Sequence, residues 1–185
     1  MNKGITYQYV LAAFGAAIIA VLAQVTIPLP FSPVPITGQT LAIGLVVTIL
    51  GTKLGTLSVL LYILLGSVGM PVFSGMSGGL GVIVGPTGGY IVGFLPTAII
   101  MGKYLDEFGL TIPQAISANL IGMIITLAFG TTWLKIAADL SWTAAIMGGA
   151  APFIITGIIK AVGAAWLGIV VRRRLQSARL IEATA

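Results

Sequence analysis

The sequence contains neither cysteine nor histidine, and only 7% of its 185 residues are charged. Without these side chains the chain cannot form disulfides, thiolate or imidazole metal sites, cysteine nucleophiles or histidine bases. The four acidic residues are also too few for a carboxylate metal cage or for the carboxylate pair of a glycosidase. The sequence therefore argues against an enzyme and predicts that the chain itself holds no metal and no cofactor.

Apolar residues are what the sequence has in abundance. They make up 58% of the chain, and the mean hydropathy is +1.12, whereas a soluble domain carries about 25% charged residues. The chain is therefore predicted to be an integral membrane protein. The net charge of +5 does not indicate nucleic-acid binding, because the basic residues lie at the ends of apolar segments and not in a stripe with aromatic residues.

The apolar segments predict a single all-α membrane domain over residues 1–185, a compact bundle of six transmembrane helices. A spanning helix needs about 20 mostly apolar residues, so a chain of this length has room for roughly six with short connections. Pro152 suits the first turn of a helix and therefore begins the last span. The predicted spans are approximately residues 9–29, 38–51, 54–68, 90–103, 115–134 and 152–171.

The basic residues at the segment ends predict how the chain is oriented. With six spans, Lys135 falls in a loop on one side of the membrane. The basic residues on the opposite side are Lys3, Lys53, Lys103, Arg172, Arg173, Arg174 and Arg179. Because cytoplasmic loops carry the excess of Lys and Arg, both termini are predicted to be cytoplasmic. The Pro-rich loop (28–38) and the Gly-rich loop (69–89) then lie near the outer face.

Lys160 differs from the other basic residues because it lies inside a predicted span. At about 1.5 Å per residue it lies roughly 12 Å below Pro152, too deep for its ammonium to reach the interface easily. A lysine at mid-membrane costs about 2.5–3.5 kcal/mol, so this side chain should face the bundle interior or a polar cavity. Either backbone carbonyls or water hold the ammonium, or it binds an anionic or strongly accepting ligand. The second interpretation is favoured, since no other predicted span contains an acidic residue.

The Gly-rich and Pro-rich loops each allow more than one interpretation. Gly75-Met76-Ser77-Gly78-Gly79 has the G-x-S-x-G form of a nucleophile elbow, but without histidine the motif has no base. No Walker A motif occurs, so the chain should not bind ATP through a P-loop. Irregular backbone at membrane depth is tolerated where it lines a cavity or is buried in protein, and its N–H and C=O groups suit a ligand with amide-like edges. The Pro-rich stretch 28–35 is stiff and could form a lid or a connector.

Small residues form a stripe along the first span. Ala12, Ala16 and Ala20 repeat at four-residue spacing, with Ala13 and Ala17 beside them. Small side chains let two helices approach closely. The stripe therefore either packs inside the chain's own bundle or forms a smooth external face for a partner helix.

Four segments, in order along the chain, carry a resemblance to a known family. They read PVPITGQT at 33–40, LSVLLY at 57–62, GMPVF at 69–73 and GPTGGY at 85–90. The chain resembles the BioY family, the biotin-specific substrate-binding components (S components) of energy-coupling-factor (ECF) transporters. The resemblance implies six membrane helices with the vitamin bound near the outer side. It also implies an alanine-rich first helix, here Ala12, Ala16 and Ala20, that docks on a transmembrane coupling protein working with two ATP-binding subunits.

The resemblance also implies a set of site residues. Lys160 matches the family's last-helix lysine, but Gly157 stands where the family pattern has an aspartate. A polar partner then has to come from elsewhere, and the candidates are Thr156, Asn119 and Gln39. Trp133 is a further candidate for packing the apolar part of the ligand. The full set of predicted substrate-binding residues is Gln39, Phe73, Ser74, Gly79, Gly85, Thr87, Tyr90, Asn119 and Lys160.

The predicted function is high-affinity uptake of biotin across the cell membrane of a prokaryote. The chain would bind biotin from outside without covalent chemistry, while ATP is used by partner subunits. The alternatives are an S component for another small vitamin, a structural membrane subunit with no ligand, and an intramembrane enzyme. Whether the energising module is dedicated, shared or replaced by a homo-oligomer stays open. Beyond these subunits the expected surroundings are the lipid bilayer, with no nucleic acid.

The charge distribution gives a first testable prediction, on topology. Because the native chain has no cysteine, single introduced cysteines report without background. We expect a cysteine placed at the C-terminus to be labelled by a membrane-impermeant maleimide only after the cells are opened. A cysteine that replaces Lys135 should be labelled in intact cells. The reverse pattern would contradict the predicted orientation.

Overall fold

The computed structural model describes residues 4–181 and consists mainly of long helices. Lys3, which is one of the residues used for the topology prediction, lies outside the described range. The elements are α1 (Ile5–Ala23), β1 (Thr26–Leu29), β2 (Ser32–Thr37), α2 (Gln39–Ser67), α3 (Leu80–Val84), α4 (Gly88–Phe108), α5 (Ile112–Ala137), α6 (Trp142–Gly149) and α7 (Ala151–Ser177). A short 3-10 turn, Ser74–Met76, precedes α3.

The helical membrane bundle expected from composition is what the structure shows. Within residues 4–181, four helical stretches are long and apolar enough to cross a membrane: Ile5–Ala23, Gln39–Ser67, Ile112–Ala137 and Trp142–Ser177. Helix α4 packs on α5 and α2, α1 packs on α2, and α7 packs on α2 and α5. Helix α2 is thus the central element of the bundle.

The second and third predicted spans form one helix with a kink. Gly51 interrupts α2 with φ 78° and ψ −176°, a backbone conformation that residues with a Cβ rarely adopt. The kink leaves carbonyls at the end of the first arm without helical partners. Arg172 on α7 fills that need, because its Nη1 donates to the carbonyls of Thr48 (3.1 Å) and Ile49 (2.9 Å). Arg172 is only 5% exposed, so it packs in the bundle as well as carrying one of the charges that predicted the orientation.

The Pro-rich segment forms a β-hairpin that the sequence did not predict. Helix α1 ends at Ala23, so the last residues of the predicted first span belong to β1. The strands are antiparallel, pairing Thr26 with Thr37 and Ile27 with Ile36, and an irregularity follows before the pair Leu29 and Ser32. Pro28, Pro30, Pro33 and Pro35 prevent helix formation because they lack an N–H, and an isolated two-stranded ribbon tolerates them since both strands are edges.

The alanine stripe on α1 faces the inside of the bundle. Ala12 and Ala16 are 0% and 3% exposed, and Ala20 is half-buried. The neighbouring Gly15 lies so close to Ser58 of α2 that a Cβ there would overlap the serine side chain. The expectation that Ala12 and Ala16 form an external docking face is therefore wrong. Their small size serves the packing of α1 on α2, which was the other interpretation.

Close helix contacts at glycine give a second prediction. A Cβ on Gly102 of α4 would lie 2.6 Å from the Cα of Thr52, immediately after the kink, whereas a Cβ on Gly163 of α7 would meet only Leu41 Cδ1 at 3.7 Å. Gly→Ala gains about 1 kcal/mol of helix propensity at either position. Overpacking against backbone costs about 1–3 kcal/mol. We expect Gly102→Ala to lower the apparent Tm in detergent and Gly163→Ala to raise it slightly.

An equal shift in the two variants would contradict this account of the α2–α4 contact. The comparison is matched because both substitutions add one methyl group to a helix interior. It separates the effect of packing from that of helix propensity.

Candidate functional site

A cavity opens between the hairpin and the helix ends beside it. Its walls come from β2, the start of α2, the turn before α3, and helices α3, α4, α5 and α7. The apolar lining residues are Val34, Pro35, Phe73, Val82, Tyr90, Ile91, Phe94, Met123, Leu127 and Phe153. The polar ones are Thr37, Gln39, Thr40, Ser74, Thr87, Thr126 and Lys160.

Lys160 supplies the positive charge of this cavity. Its Nζ donates to the carbonyl of Thr37 at 2.7 Å, so α7 is tied to the end of the hairpin. No acidic side chain lines the cavity in the part of the chain that the structure describes. An ammonium has three N–H donors, and the carbonyl accepts from one of them. The remaining donors make Lys160 the group best suited to bind an oxygen of a ligand.

Gln39 and Thr37 form a fixed polar edge beside Lys160. The Thr37 hydroxyl donates to Gln39 Oε1 at 2.8 Å, and Gln39 Nε2 donates to the Tyr62 hydroxyl at 2.6 Å. Tyr62 is fully buried and packs edge-on against Phe73, with 5.5 Å between the ring centroids. Because both ends of its amide are already hydrogen-bonded, Gln39 holds the cavity wall in place more than it offers free groups to a ligand.

Two aromatic side chains shape the apolar part of the cavity. The Phe73 ring fills a notch at Gly66, where a Cβ would overlap it. The Tyr90 hydroxyl donates to the carbonyl of Gly149 at 2.6 Å, at the junction of α6 and α7. Tyr90 also packs near Phe153, with 6.3 Å between the ring centroids. With the hydroxyl engaged elsewhere, the Tyr90 ring is what faces the cavity.

The structure places the predicted site residues in two groups. Those that line the cavity are Gln39, Phe73, Ser74, Thr87, Tyr90 and Lys160. Gly79 and Gly85 do not line it, and both have structural partners. The Gly79 N–H donates to the carbonyl of Gly66 at 2.6 Å, and the Gly85 carbonyl accepts from Trp133 Nε1 at 2.9 Å. Trp133 itself lies in a groove outside the cavity, so it does not pack the ligand there.

Asn119 lines a second, smaller chamber next to the first. Both chambers share Thr40, Met123, Thr126, Gly157 and Lys160 as lining residues. Asn119 is only 6% exposed, and its Nδ2 donates to the carbonyl of Ala115 at 2.8 Å. Within residues 4–181 no group donates to its Oδ1. The Oδ1 lies against Gly44 of α2, where a Cβ would overlap it, and Asn119 also lines the smaller chamber.

Gly157 lies where the two chambers meet, and its missing side chain matters there. A Cβ at this position would overlap the end of Met123 on α5. Thr156, the other candidate for a polar partner on α7, donates to the carbonyl of Phe153 at 3.3 Å and does not line either chamber. Of the three candidates, Asn119 is therefore the one that lines a chamber and whose Oδ1 accepts from no donor within residues 4–181.

Sequence reasoning missed most of the α5 wall. Met123, Thr126 and Leu127 line the cavity from one face of that helix. Their spacing of three and four residues marks a helical face, but the sequence alone does not say whether a face in a membrane helix looks at lipid or at a cavity. Thr40 was missed although it closes the PVPITGQT segment.

Comparison with known proteins gives consistent findings. The sequence model of the BioY family matches residues 1–177. A protein named biotin transporter BioY2 from Lactococcus lactis subsp. cremoris is 40% identical over 169 residues, which cover 91% of this chain and 92% of the relative. A biotin transporter BioY from Rhizobium etli is 40% identical over 173 residues, covering 88% and 91%.

A solved structure agrees with these relatives. The crystal structure of the S-component for biotin from an ECF-type ABC transporter matches with a TM-score of 0.84 at 30% identity, covering 96% of this chain and 94% of that one. Since the family model spans nearly the whole chain and the relatives align over most of their length, the chain belongs to the BioY family.

Proposed function

We propose that the chain is the substrate-binding membrane subunit of an ECF-type transporter and that its substrate is biotin. The two relatives are named as biotin transporters, and the matching crystal structure is that of an S-component for biotin. The single observation that carries the proposal from this chain's own side is Lys160. Within residues 4–181 this lysine has no carboxylate partner, and it lies in the wall of an otherwise mostly apolar cavity. Binding is followed by transport without chemical change, so the chain acts as a receptor and not as an enzyme.

The chemistry of biotin suits the cavity. Biotin combines an apolar bicycle and an aliphatic chain with two polar ends, a ureido group and a carboxylate. Phe73, Tyr90 and Phe153 offer aromatic surface for the apolar parts. Lys160 can donate to an oxygen at either end, and Asn119 Oδ1 can accept from a ureido N–H if that end enters the smaller chamber. Such a combination of an apolar wall with a few fixed polar groups is typical of small-molecule sites.

The third prediction concerns Lys160. Lys160→Met keeps most of the side-chain volume and removes the charge and its donors. A hydrogen bond with a charged partner contributes about 1.5–3 kcal/mol, so biotin affinity should fall roughly 10- to 150-fold. The folded yield should hold, because the variant removes a charge that is costly to place in a membrane. The measurement is a binding isotherm with purified protein and labelled biotin.

Lys103→Met is the matched control for this experiment, since Lys103 is exposed on α4 and does not line either chamber. It should bind biotin as the native chain does. A biotin ester tells the two ends of the ligand apart. If Lys160 pairs with the carboxylate, the ester binds the native chain more weakly and loses little more in Lys160→Met. Unchanged biotin affinity in Lys160→Met would overturn the site assignment.

The proposed partners are a transmembrane coupling protein and two ATP-binding subunits, which supply the energy while this chain binds no nucleotide or cofactor. The setting is a prokaryotic cell membrane, with both termini on the cytoplasmic side. The support for a docking face on α1 is that one side of this helix is exposed and carries small residues. Ala13 and Ala17 are exposed together with Val10, Phe14 and Val21, so small residues are available on the outward side of the helix.

The fourth prediction tests this docking face. Ala17→Trp places a large ring on the exposed side of α1. It should abolish biotin uptake in cells, because a bulky side chain prevents the close approach of a partner helix. Biotin binding by the purified chain should stay within about twofold of the native value. Ala16→Trp is the comparison variant. It forces a ring into the α1–α2 contact and should lower both uptake and the apparent Tm. Normal uptake by Ala17→Trp would place the coupling contact elsewhere.

A further inference from the structure

Gln24, which directly follows α1, reaches across to the Gly-rich loop. Its Nε2 lies 2.9 Å from the carbonyl oxygen of Ala20, 3.3 Å from that of Val72 and 3.2 Å from that of Phe73. Its Oε1 accepts from the N–H of Met76 at 2.9 Å. A primary amide has two N–H donors and one carbonyl acceptor, and here all of them are engaged. One side chain thus joins the end of α1 to residues 72–76, which we call the lip segment.

The lip segment forms part of the cavity wall. Phe73 and Ser74 both line the cavity. The backbone that follows is unusual, since Gly75 has φ 68° and Met76 has φ 55°. Positive φ at a residue with a side chain is uncommon and persists where the surroundings hold it. The hydrogen bond from the Met76 N–H to Gln24 holds that residue at the point of strain.

The other contacts of the lip segment are local or apolar. The Phe73 N–H donates to the carbonyl of Ser77 at 3.0 Å, which closes the loop on itself. The Phe73 ring packs on Tyr62 and over Gly66. These contacts fix the ring against α2, but within residues 72–77 they leave the carbonyl of Val72 without a donor. Gln24 provides that donor and sets where the backbone beside Ser74 lies.

We propose that Gln24 is a positioning residue that holds the lip segment against the cavity and thereby slows the release of the bound substrate. This inference rests on the proposed function for the identity of the substrate, biotin. Gln24 does not line the cavity, so it acts through Phe73 and Ser74. A glutamine is suited to the task because the contact needs donors and an acceptor on one uncharged group. A glutamate would keep the acceptor for Met76 but would face carbonyl oxygens without a donor.

The fifth prediction follows from this arrangement. Gln24→Leu removes all of these hydrogen bonds at similar volume. We expect the dissociation rate of labelled biotin from the purified chain to rise about tenfold, the effect of one to a few net hydrogen bonds, with a smaller change in the association rate. A merely structural loss would reduce the folded fraction and leave the dissociation rate of the folded molecules unchanged. Gln8→Leu, at an exposed glutamine on the same helix, is the matched control and should release biotin at the native rate.

A second measurement needs no ligand. In the cysteine-free chain, Ser74→Cys reports the position of the lip segment through its rate of reaction with a thiol reagent, because Ser74 is half-buried at the cavity. We expect Gln24→Leu to accelerate this labelling severalfold. Met76→Cys, at a position that is already 68% exposed, should be labelled rapidly with or without Gln24. If Gln24→Leu does not fold, Gln24→Glu is the second variant, and it should change both rates in the same direction.

The outcomes separate this proposal from the function it rests on. Failure of the native chain to bind biotin would overturn the proposed function, while the Ser74→Cys labelling would still test the positioning of the lip segment. Native biotin release by a folded Gln24→Leu would overturn the proposal, even if labelling were faster. Faster release with faster labelling, and neither change in Gln8→Leu, supports it.

Discussion

At membrane depth, backbone N–H and C=O groups need hydrogen-bond partners other than water. This constraint explains the positions of five side chains that donate to backbone carbonyls. A helix satisfies its own N–H and C=O groups, but a bundle with kinks and irregular loops exposes carbonyls at each break. At these breaks the structure places a side-chain donor. Arg172 donates to the kink in α2, Lys160 to the end of the hairpin, Tyr90 to the α6–α7 junction, Trp133 to the end of α3 and Gln24 to the lip segment.

The cavity exists because most of these breaks, though not the α2 kink, gather at one end of the bundle. The hairpin, the start of α2, the lip segment, the start of α4 and the start of α7 all contribute to its wall. A ligand site in a membrane protein needs polar groups that do not face the lipid and that are not buried without hydrogen-bond partners. Here the breaks supply such groups, and the apolar helices around them supply the surface against which an apolar ligand packs.

Lys160 both fixes the position of α7 and gives the cavity its charge. Its hydrogen bond to Thr37 ties α7 to the hairpin, and its remaining donors give the cavity a positive charge. The neighbouring position, Gly157, adds no side chain, which leaves the smaller chamber with Asn119 open to the larger one. Among the residues that line the smaller chamber, α5 contributes the Asn119 amide, whereas Lys160 is the polar side chain from α7. The spacing of α5 and α7 is set in part by Met123, whose side chain packs where a Cβ on Gly157 would lie.

The sequence by itself determined the membrane setting, the helical class, the place of Lys160 inside a span and, through PVPITGQT and GPTGGY, the family. These follow from composition and from local motifs, which do not depend on how the helices pack. Tertiary structure decided the rest. Whether Ala16 or Ala17 faces outward depends on which side of α1 meets α2, and hydropathy does not distinguish lipid from protein as a neighbour. Gly79 and Gly85 were predicted to contact the ligand, and their loop does lie at the cavity. Their backbone groups, however, are hydrogen-bonded to Gly66 and to Trp133 and do not line the cavity. The roles of Gln24 and Arg172 arise from contacts between residues far apart in the chain, which no local pattern contains.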